Sequence, residues 1–309
     1  MPSCKSKAGG SYKKVSSKDA YAKIMANTDT FIFDCDGVLW LSNEPLPGAF
    51  QVLRRLKAQG KNVFFVTNAS TKTRDEAHQK IVRMGFDGAE PSQVFSTAYT
   101  CALQMKNCIS PQGKVYLVGN AAMETELRNV GVKSEGIGPD GSLTSQSHTE
   151  TMKVPLDPAV EAVLVGFDGH FSLSKMVKAA SYLQDPACKF VATNEDRGML
   201  MSDRRHFSID TGVLISTVAH ASGRQPDVIC GKPHTFMFEC MKAEVAFECG
   251  RALMIGDTMK TDISFGKRNG MKTLLVLSGV ESVATLKTAD KLRPAPDYLL
   301  DSLNDWVEY

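Results

Sequence analysis

Two aspartates one residue apart, Asp34 and Asp36, follow the apolar run Thr30-Phe31-Ile32-Phe33 and precede Gly37. Side chains alternate along a strand, so both carboxylates can share a direction where the strand ends, with Cys35 opposed. Two carboxylates at a buried strand end repel unless a proton or a cation offsets them, which points to a divalent metal. Taken alone, Asp-x-Asp-Gly is equally a strand running into an ordinary turn. Three further segments carry residues able to work with the pair. Thr67-Asn68 follows Val63-Phe64-Phe65-Val66, and Lys232 sits in Gly231-Lys232-Pro233 behind Val228-Ile229-Cys230. Gly256-Asp257 closes Ala252-Leu253-Met254-Ile255, with Asp262 shortly after. Each also has a plainer reading: a helix N-cap, a solvated lysine, a βα turn, and a charge at a helix N-terminus. Their order at successive strand ends argues for one site, because open α/β sheets bind ligands beyond the carboxyl ends of their strands.

The elements that must position these residues alternate between strand and helix. Strands are expected at 30–34 and 61–66, with helices at 47–60, carrying Phe50, Leu53 and Leu56 at helical spacing, and at 73–84, stopped by Gly85. The pattern repeats with strands at 115–118, 160–165 and 190–193 and helices at 121–130 and 173–183. A Gly/Ser/Pro-rich loop spans 136–147. Strands at 228–230, 252–255 and 273–277 and helices at 235–246 and 262–269 complete the series. Near-continuous apolar strands in this order predict an α/β fold with a doubly wound parallel sheet covered on both faces, three layers in all. The stretch between Thr67-Asn68 and Lys232 lacks the strand-end motifs. The expected organisation is therefore a loose N-terminal tail over 1–16, a core over 17–98 and 227–309, and an inserted α/β domain over 99–226.

Composition narrows the class. A 309-residue chain with 43% hydrophobic and 23% charged residues is an ordinary globular protein. A net charge of +2 favours neither a nucleic-acid nor a membrane partner. Eight cysteines form no Cys-x-x-Cys pair and the six histidines are scattered, so neither a zinc site nor a disulfide framework is expected. No apolar stretch follows the basic N-terminus before Phe31, which excludes a secretory signal, and no segment is long enough to span a membrane. The expected location is the cytoplasm.

Taken together, Asp34-x-Asp36-Gly37-Val38, Thr67-Asn68, Gly231-Lys232-Pro233 and Gly256-Asp257-x4-Asp262 closely resemble the motifs of the haloacid dehalogenase-like phosphatases. The resemblance runs from about Asp29 to the C-terminus. It looks nearest to the eukaryotic phosphoglycolate, p-nitrophenyl and pyridoxal phosphate phosphatases, whose large α/β cap is inserted between Thr67-Asn68 and the lysine. Asp34-Cys35-Asp36-Gly37-Val38-Leu39-Trp40, Gly166-Phe167-Asp168-x-His170-Phe171-Ser172 and Phe238-Glu239-Cys240 also look like that branch. One departure stands at Lys260, where such relatives often carry an acidic residue; it reads as a solvent-facing substitution.

The resemblance implies a phosphomonoesterase in which Asp34 attacks phosphorus and forms an aspartyl-phosphate. Asp36 then protonates the leaving oxygen and afterwards takes a proton from the hydrolytic water, a task favoured if desolvation beneath a cap raises its affinity for the proton. Mg²⁺ is the expected cofactor, held by Asp34, the backbone carbonyl of Asp36, and Asp257, with Asp262 bracing Lys232 or a metal-bound water. The Thr67 hydroxyl, the Asn68 and Ala69 amides and Lys232 would hold the phosphoryl group. The loop over 194–200 is expected to set specificity, with Met199 offering an adaptable apolar surface or merely packing within the cap. The implied partner is a small phosphorylated metabolite of the phosphoglycolate or p-nitrophenyl phosphate type, with a homodimer through the cap also expected. A pyridoxal phosphate or protein phosphatase, a mutase using the same aspartate, or a non-catalytic scaffold retaining the fold are the alternatives. Cys35 is expected to face the core as an inert thiol.

Overall fold

A computed structural model describes residues 13–143, 147–200, 205–288 and 294–309. The chain divides into two compact units. The first comprises Met1–Thr67, His78–Val94 and Met241–Tyr309; the second comprises Asn68–Ala77 and Phe95–Cys240.

The first unit is built on the strands Lys13–Lys14, Tyr298–Leu300, Lys272–Val276, Ala252–Gly256, Thr30–Phe33 and Asn62–Thr67, neighbours in one sheet in that order. The neighbouring pairs from Lys13–Lys14 through Asn62–Thr67 are all parallel. Thr30–Phe33 and Ala252–Gly256 are buried at every position, as apolar runs covered on both faces must be. Their register sets Phe33 against Ile255 on one side and Phe65 on the other. Asp34 continues it, its N–H donating to Ile255 O at 2.8 Å. The chain thus leaves the sheet side by side at Asp34, Asp257 and Thr67.

Around this sheet the expected helix over 47–60 forms at Ala49–Ala58, and Phe50, Leu53 and Leu56 are its buried stripe. The expected tail ends earlier than 16. Lys13–Lys14 pairs with Tyr298 and Leu299, Val15 is buried, and Val15 O accepts from Trp306 Nε1 at 3.0 Å. Ser17 then caps the helix Lys18–Asn27 by accepting from the Ala20 amide. The rest of the expected tail, 1–12, lies outside the described residues. The helix expected at 262–269 is a π-helical turn, Met259–Ile263, followed by a short α-helix, Ser264–Arg268.

The second unit has its own parallel five-stranded sheet, ordered Val228–Ile229, Lys189–Ala192, Val160–Val165, Lys114–Val118 and Lys133–Glu135. Alternation along Val115-Tyr116-Leu117-Val118 sorts its side chains into two cores. Tyr116 and Val118 pack with residues of the helices Leu173–Tyr182 and Thr211–Ser222. Val115 and Leu117 pack with residues of the helices Thr97–Cys108 and Ala121–Asn129. The unit reaches further at both edges than the expected 99–226. Val228–Ile229 pairs with Lys189–Ala192, and the segment Asn68–Ala77 is tied in by side chains: Ser70 Oγ accepts from Phe167 N at 3.4 Å and Glu126 accepts from the Arg74 amide. The Arg74 guanidinium lies 4.1 Å from the Tyr99 ring centroid. Among the described residues no helix is long and apolar enough to cross a membrane.

Candidate active site

Asp34, Asp257 and Asp262 meet in the first unit. Carboxylate oxygens of the three lie within 4.8 Å of one another, and all three residues are buried. Asp34 directly follows one central strand and Asp257 follows its neighbour, so the parallel register itself brings them together. Asp262 arrives from the π-helical turn, whose wider backbone turns it back on the strand end. There its Oδ2 accepts from the amides of Asp257 at 3.2 Å and Thr258 at 3.0 Å. That double acceptance makes Asp262 a brace for the loop. Asp257 accepts from Thr258 Oγ1 at 3.1 Å through Oδ1 and from the Val280 amide at 2.7 Å through Oδ2.

The backbone around these carboxylates is crowded to the point of requiring glycine. At Gly256 a Cβ would overlap Asp262, and at both Gly37 and Gly279 it would overlap the Asp257 carboxylate. Gly37 also has a φ of +83°, left-handed backbone that side chains with a Cβ resist. Ser278 Oγ donates to Gly37 O at 2.8 Å, joining the two glycine loops that flank Asp257.

Asp36 behaves differently from its expected pairing with Asp34. The strand stops at Phe33, so alternation does not carry through to Asp36. Its side chain is 60% exposed. Instead its Oδ1 accepts from Trp40 Nε1 at 2.7 Å, with Lys80 Nζ 3.9 Å away. Cys35 is a buried thiol outside any disulfide, as expected from its place between the aspartates, and Lys260 is exposed. Thr67 is buried at the end of Asn62–Thr67.

The remaining expected residues lie in the second unit. Asn68 clasps the backbone of Lys232: its Oδ1 accepts from Lys232 N at 2.8 Å and its Nδ2 donates to Lys232 O at 3.0 Å. Lys232 is buried, and Gly231 beside it leaves no room for a side chain, since a Cβ would stand 2.7 Å from Asn68 Oδ1 and from Thr193 O. The same Asn68 Nδ2 donates to Asp196 Oδ2 at 2.8 Å, which also accepts from Asn194 Nδ2 at 2.8 Å. Ala69 is half-buried in the same segment. The loop over 194–200 is tied at Asp196 to the start of the helix Thr211–Ser222. The Gly212 amide donates to Asp196 O at 2.8 Å, and Asp210 caps that helix through the Thr211 amide at 2.6 Å. Burial pushes the Asp210 carboxyl above the ordinary aspartate range. Met199 lies on the strand Gly198–Leu200, paired antiparallel with Phe207–Ile209 and opposite Ser208.

Three groups of contacts had weaker signals in the sequence. Asp196 stands two residues beyond the strand-end Asn194. Gly279-Val280 follows a further strand, Lys272–Val276, whose end carries no charged motif. Trp40 and Lys80 reach Asp36 from four and forty-four positions away.

Comparisons with known proteins identify the family. Residues 31–133 match the family model described as haloacid dehalogenase-like hydrolase, and residues 229–306 match the model described as HAD-hydrolase-like. The chain is 41% identical over 294 residues to glycerol-3-phosphate phosphatase of Homo sapiens, covering 91% of each chain. Among solved structures it resembles a p-nitrophenyl phosphatase from Archaeoglobus fulgidus, with a TM-score of 0.77, 26% identity and coverage of 91% of this chain and 99% of that one. It also resembles a glycerol phosphate phosphatase from Mycobacterium tuberculosis in complex with magnesium, with a TM-score of 0.74, 25% identity and coverage of 91% and 78%. A carboxylate cluster on the central strands, glycines that only the smallest side chain satisfies, and relatives this similar over nearly the whole length lead to one conclusion: the chain belongs to the haloacid dehalogenase-like hydrolases and is a phosphomonoesterase.

Proposed function

We propose that the chain hydrolyses phosphate monoesters of small alcohols and phenols through an aspartyl-phosphate on Asp34, in a Mg²⁺-dependent reaction. The observation that carries this reading is the meeting of Asp34, Asp257 and Asp262, three buried carboxylates within 4.8 Å. Like charges so close in a buried setting repel strongly, and a hard divalent cation is the partner that oxygen ligands of this kind fit. Asp34, the Asp36 carbonyl and Asp257 would hold Mg²⁺, which when bound offsets negative charge on the phosphoryl oxygens. The magnesium in the mycobacterial relative supports the choice of ion.

The chain's own groups divide the remaining work. Asp34 attacks phosphorus, and Asp36 delivers a proton to the leaving oxygen. The Thr67 hydroxyl, the Asn68 and Ala69 amides and the Lys232 ammonium bind the phosphoryl group, with the Asn68 clasp fixing where Lys232 begins. Glycerol phosphate and p-nitrophenyl phosphate are the substrates that the relatives' names support, and phosphoglycolate belongs beside them from the sequence resemblance. Met199, on the strand that closes the 194–200 loop, sets preference among these esters.

The test is phosphate release from this three-ester panel, with Mg²⁺ and with excess chelator. Release that stops on chelation and returns with Mg²⁺ is the expected result. Release indifferent to chelation would overturn the metal assignment, and no release from any ester would overturn the substrate class. Met199→His should change the ranking of kcat/KM within the panel; an unchanged ranking would remove Met199 from specificity.

A further inference from the structure

The indole of Trp40 is buried, only 3% exposed, yet its one polar atom is spent on an exposed carboxylate, Asp36. Nε1 donates to Asp36 Oδ1 at 2.7 Å. Lys80 Nζ lies 4.2 Å from the Trp40 ring centroid and 3.9 Å from the same Oδ1, and it donates to Ser42 O at 2.8 Å. Ser42 has a φ of +55° in the turn joining Trp40–Leu41 to Glu44–Pro45, so Lys80 also holds a strained turn in place. Ammonium, ring and carboxylate form one stack, in which the cation lies over the aromatic face and the ring edge points at the acid.

We infer that Trp40 and Lys80 are positioning residues that hold Asp36 by Oδ1 and thereby make Oδ2 the oxygen that carries the proton to the leaving group. An indole N–H can only donate, so Oδ1 must remain its acceptor, and the ammonium 3.9 Å away favours negative charge on that same oxygen. A proton on Oδ1 would point against the indole N–H; a proton on Oδ2 leaves the clamp intact. The inference rests on the phosphatase reading above and adds to it the choice of oxygen. In that step the bond from Asp34 to phosphorus forms as the bond from phosphorus to the alcohol oxygen breaks. The proton on Asp36 Oδ2 passes to that oxygen.

A residue that aims a general acid matters only where the leaving group needs a proton. The alkoxide of glycerol phosphate needs one, whereas p-nitrophenolate departs as a stable anion. The experiment compares kcat/KM for these two esters in the wild type, Trp40→Phe, Lys80→Met and Lys80→Arg. Trp40→Phe keeps an aromatic ring for Lys80 and removes the N–H together with part of the buried indole. It should lower kcat/KM about tenfold for glycerol phosphate and less than about twofold for p-nitrophenyl phosphate. Lys80→Met should show the same selectivity with a smaller loss, and Lys80→Arg should restore most of the activity. Should Trp40→Phe fail to fold by circular dichroism, Lys80→Met carries the test with the indole intact. Equal losses on both esters, or no loss on either, would overturn the inference. Wild-type protein releasing phosphate from neither ester would overturn the phosphatase reading, and the inference with it.

Discussion

Gly279 abuts Asp257 so closely that a Cβ on the glycine would stand 2.6 Å from the carboxylate carbon. The neighbouring Val280 amide, 2.7 Å from Asp257 Oδ2, explains the approach: the loop must run against the carboxylate in order to donate to it. Gly279→Ala should therefore displace Asp257 and lower kcat by about 10²-fold, since misplacing a catalytic group by an ångström costs on that order. Gly250→Ala, where nothing lies within 4 Å of the added methyl, is the matched control and should leave kcat unchanged. Equal activity in both variants would show that Asp257 tolerates the crowding.

The Asn68 clasp on Lys232 makes a second prediction. Asn68→Ala removes both hydrogen bonds to the Lys232 backbone and the one to Asp196. It should reduce kcat/KM about tenfold or more by loosening the lysine. Asn68→Asp keeps an acceptor for the Lys232 amide but sets a second carboxylate against Asp196 Oδ2, so it should also lower the melting temperature below that of Asn68→Ala. Steady-state kinetics and thermal melts on the pair separate the two effects.

In the second unit Lys175 and Asp168 form an ion pair at 2.5 Å, with side chains 0% and 1% exposed. Asp168 Oδ1 also accepts from the His170 amide at 2.7 Å. Lys175→Met strands a buried carboxylate and should cost about 3–5 kcal/mol in urea unfolding. Adding Asp168→Leu should recover part of that loss, because the unpaired charge is gone while the His170 amide stays unsatisfied. A double variant no better than the single would show that burial of the charge is not what makes the pair essential.

Glu126 supplies a pH dependence. Burial pushes its carboxyl above the ordinary glutamate range, opposed by its hydrogen bonds from the Arg74 amide and the Asn129 side chain. A carboxyl holding its proton more tightly folded than unfolded costs nothing below its unfolded pKa of about 4.3. The cost grows as pH rises past that value and is complete above the folded one. Glutamine accepts from the Arg74 amide without ionising. The melting temperature of Glu126→Gln relative to wild type should therefore climb between about pH 4 and pH 7; a flat difference would contradict this account.

The strand ends were legible in the sequence because each is a local event: an apolar run stops and a polar residue follows. Asp34, Asp257, Thr67 and Lys232 all fall into that pattern, and for Asp34, Asp257 and Thr67 the parallel register of one sheet does the rest. Two helices of the second unit carried no such signal. Thr97–Cys108 buries Thr97, Ala98, Thr100, Cys101, Ala102 and Met105, spread around the helix, so it shows little amphipathic period. Thr211–Ser222 is similarly small and apolar along its length. The exposure of Asp36 was also hidden, because it depends on the strand ending one residue before Asp34. Contacts such as Lys80 with Trp40 join segments far apart in the chain and exist only once the sheet has formed.

The central claim is that Asp34 is the atom donor to phosphorus. Rapid acid quenching of the enzyme during turnover of p-nitrophenyl phosphate, followed by peptide mass spectrometry, tests it most directly. The account predicts one phosphoryl group on the peptide containing Asp34, sensitive to hydroxylamine and absent in Asp34→Asn, whose phosphate release should fall about 10³-fold or more. A phosphoryl group on another residue, or an Asp34→Asn enzyme that still turns over, would contradict it.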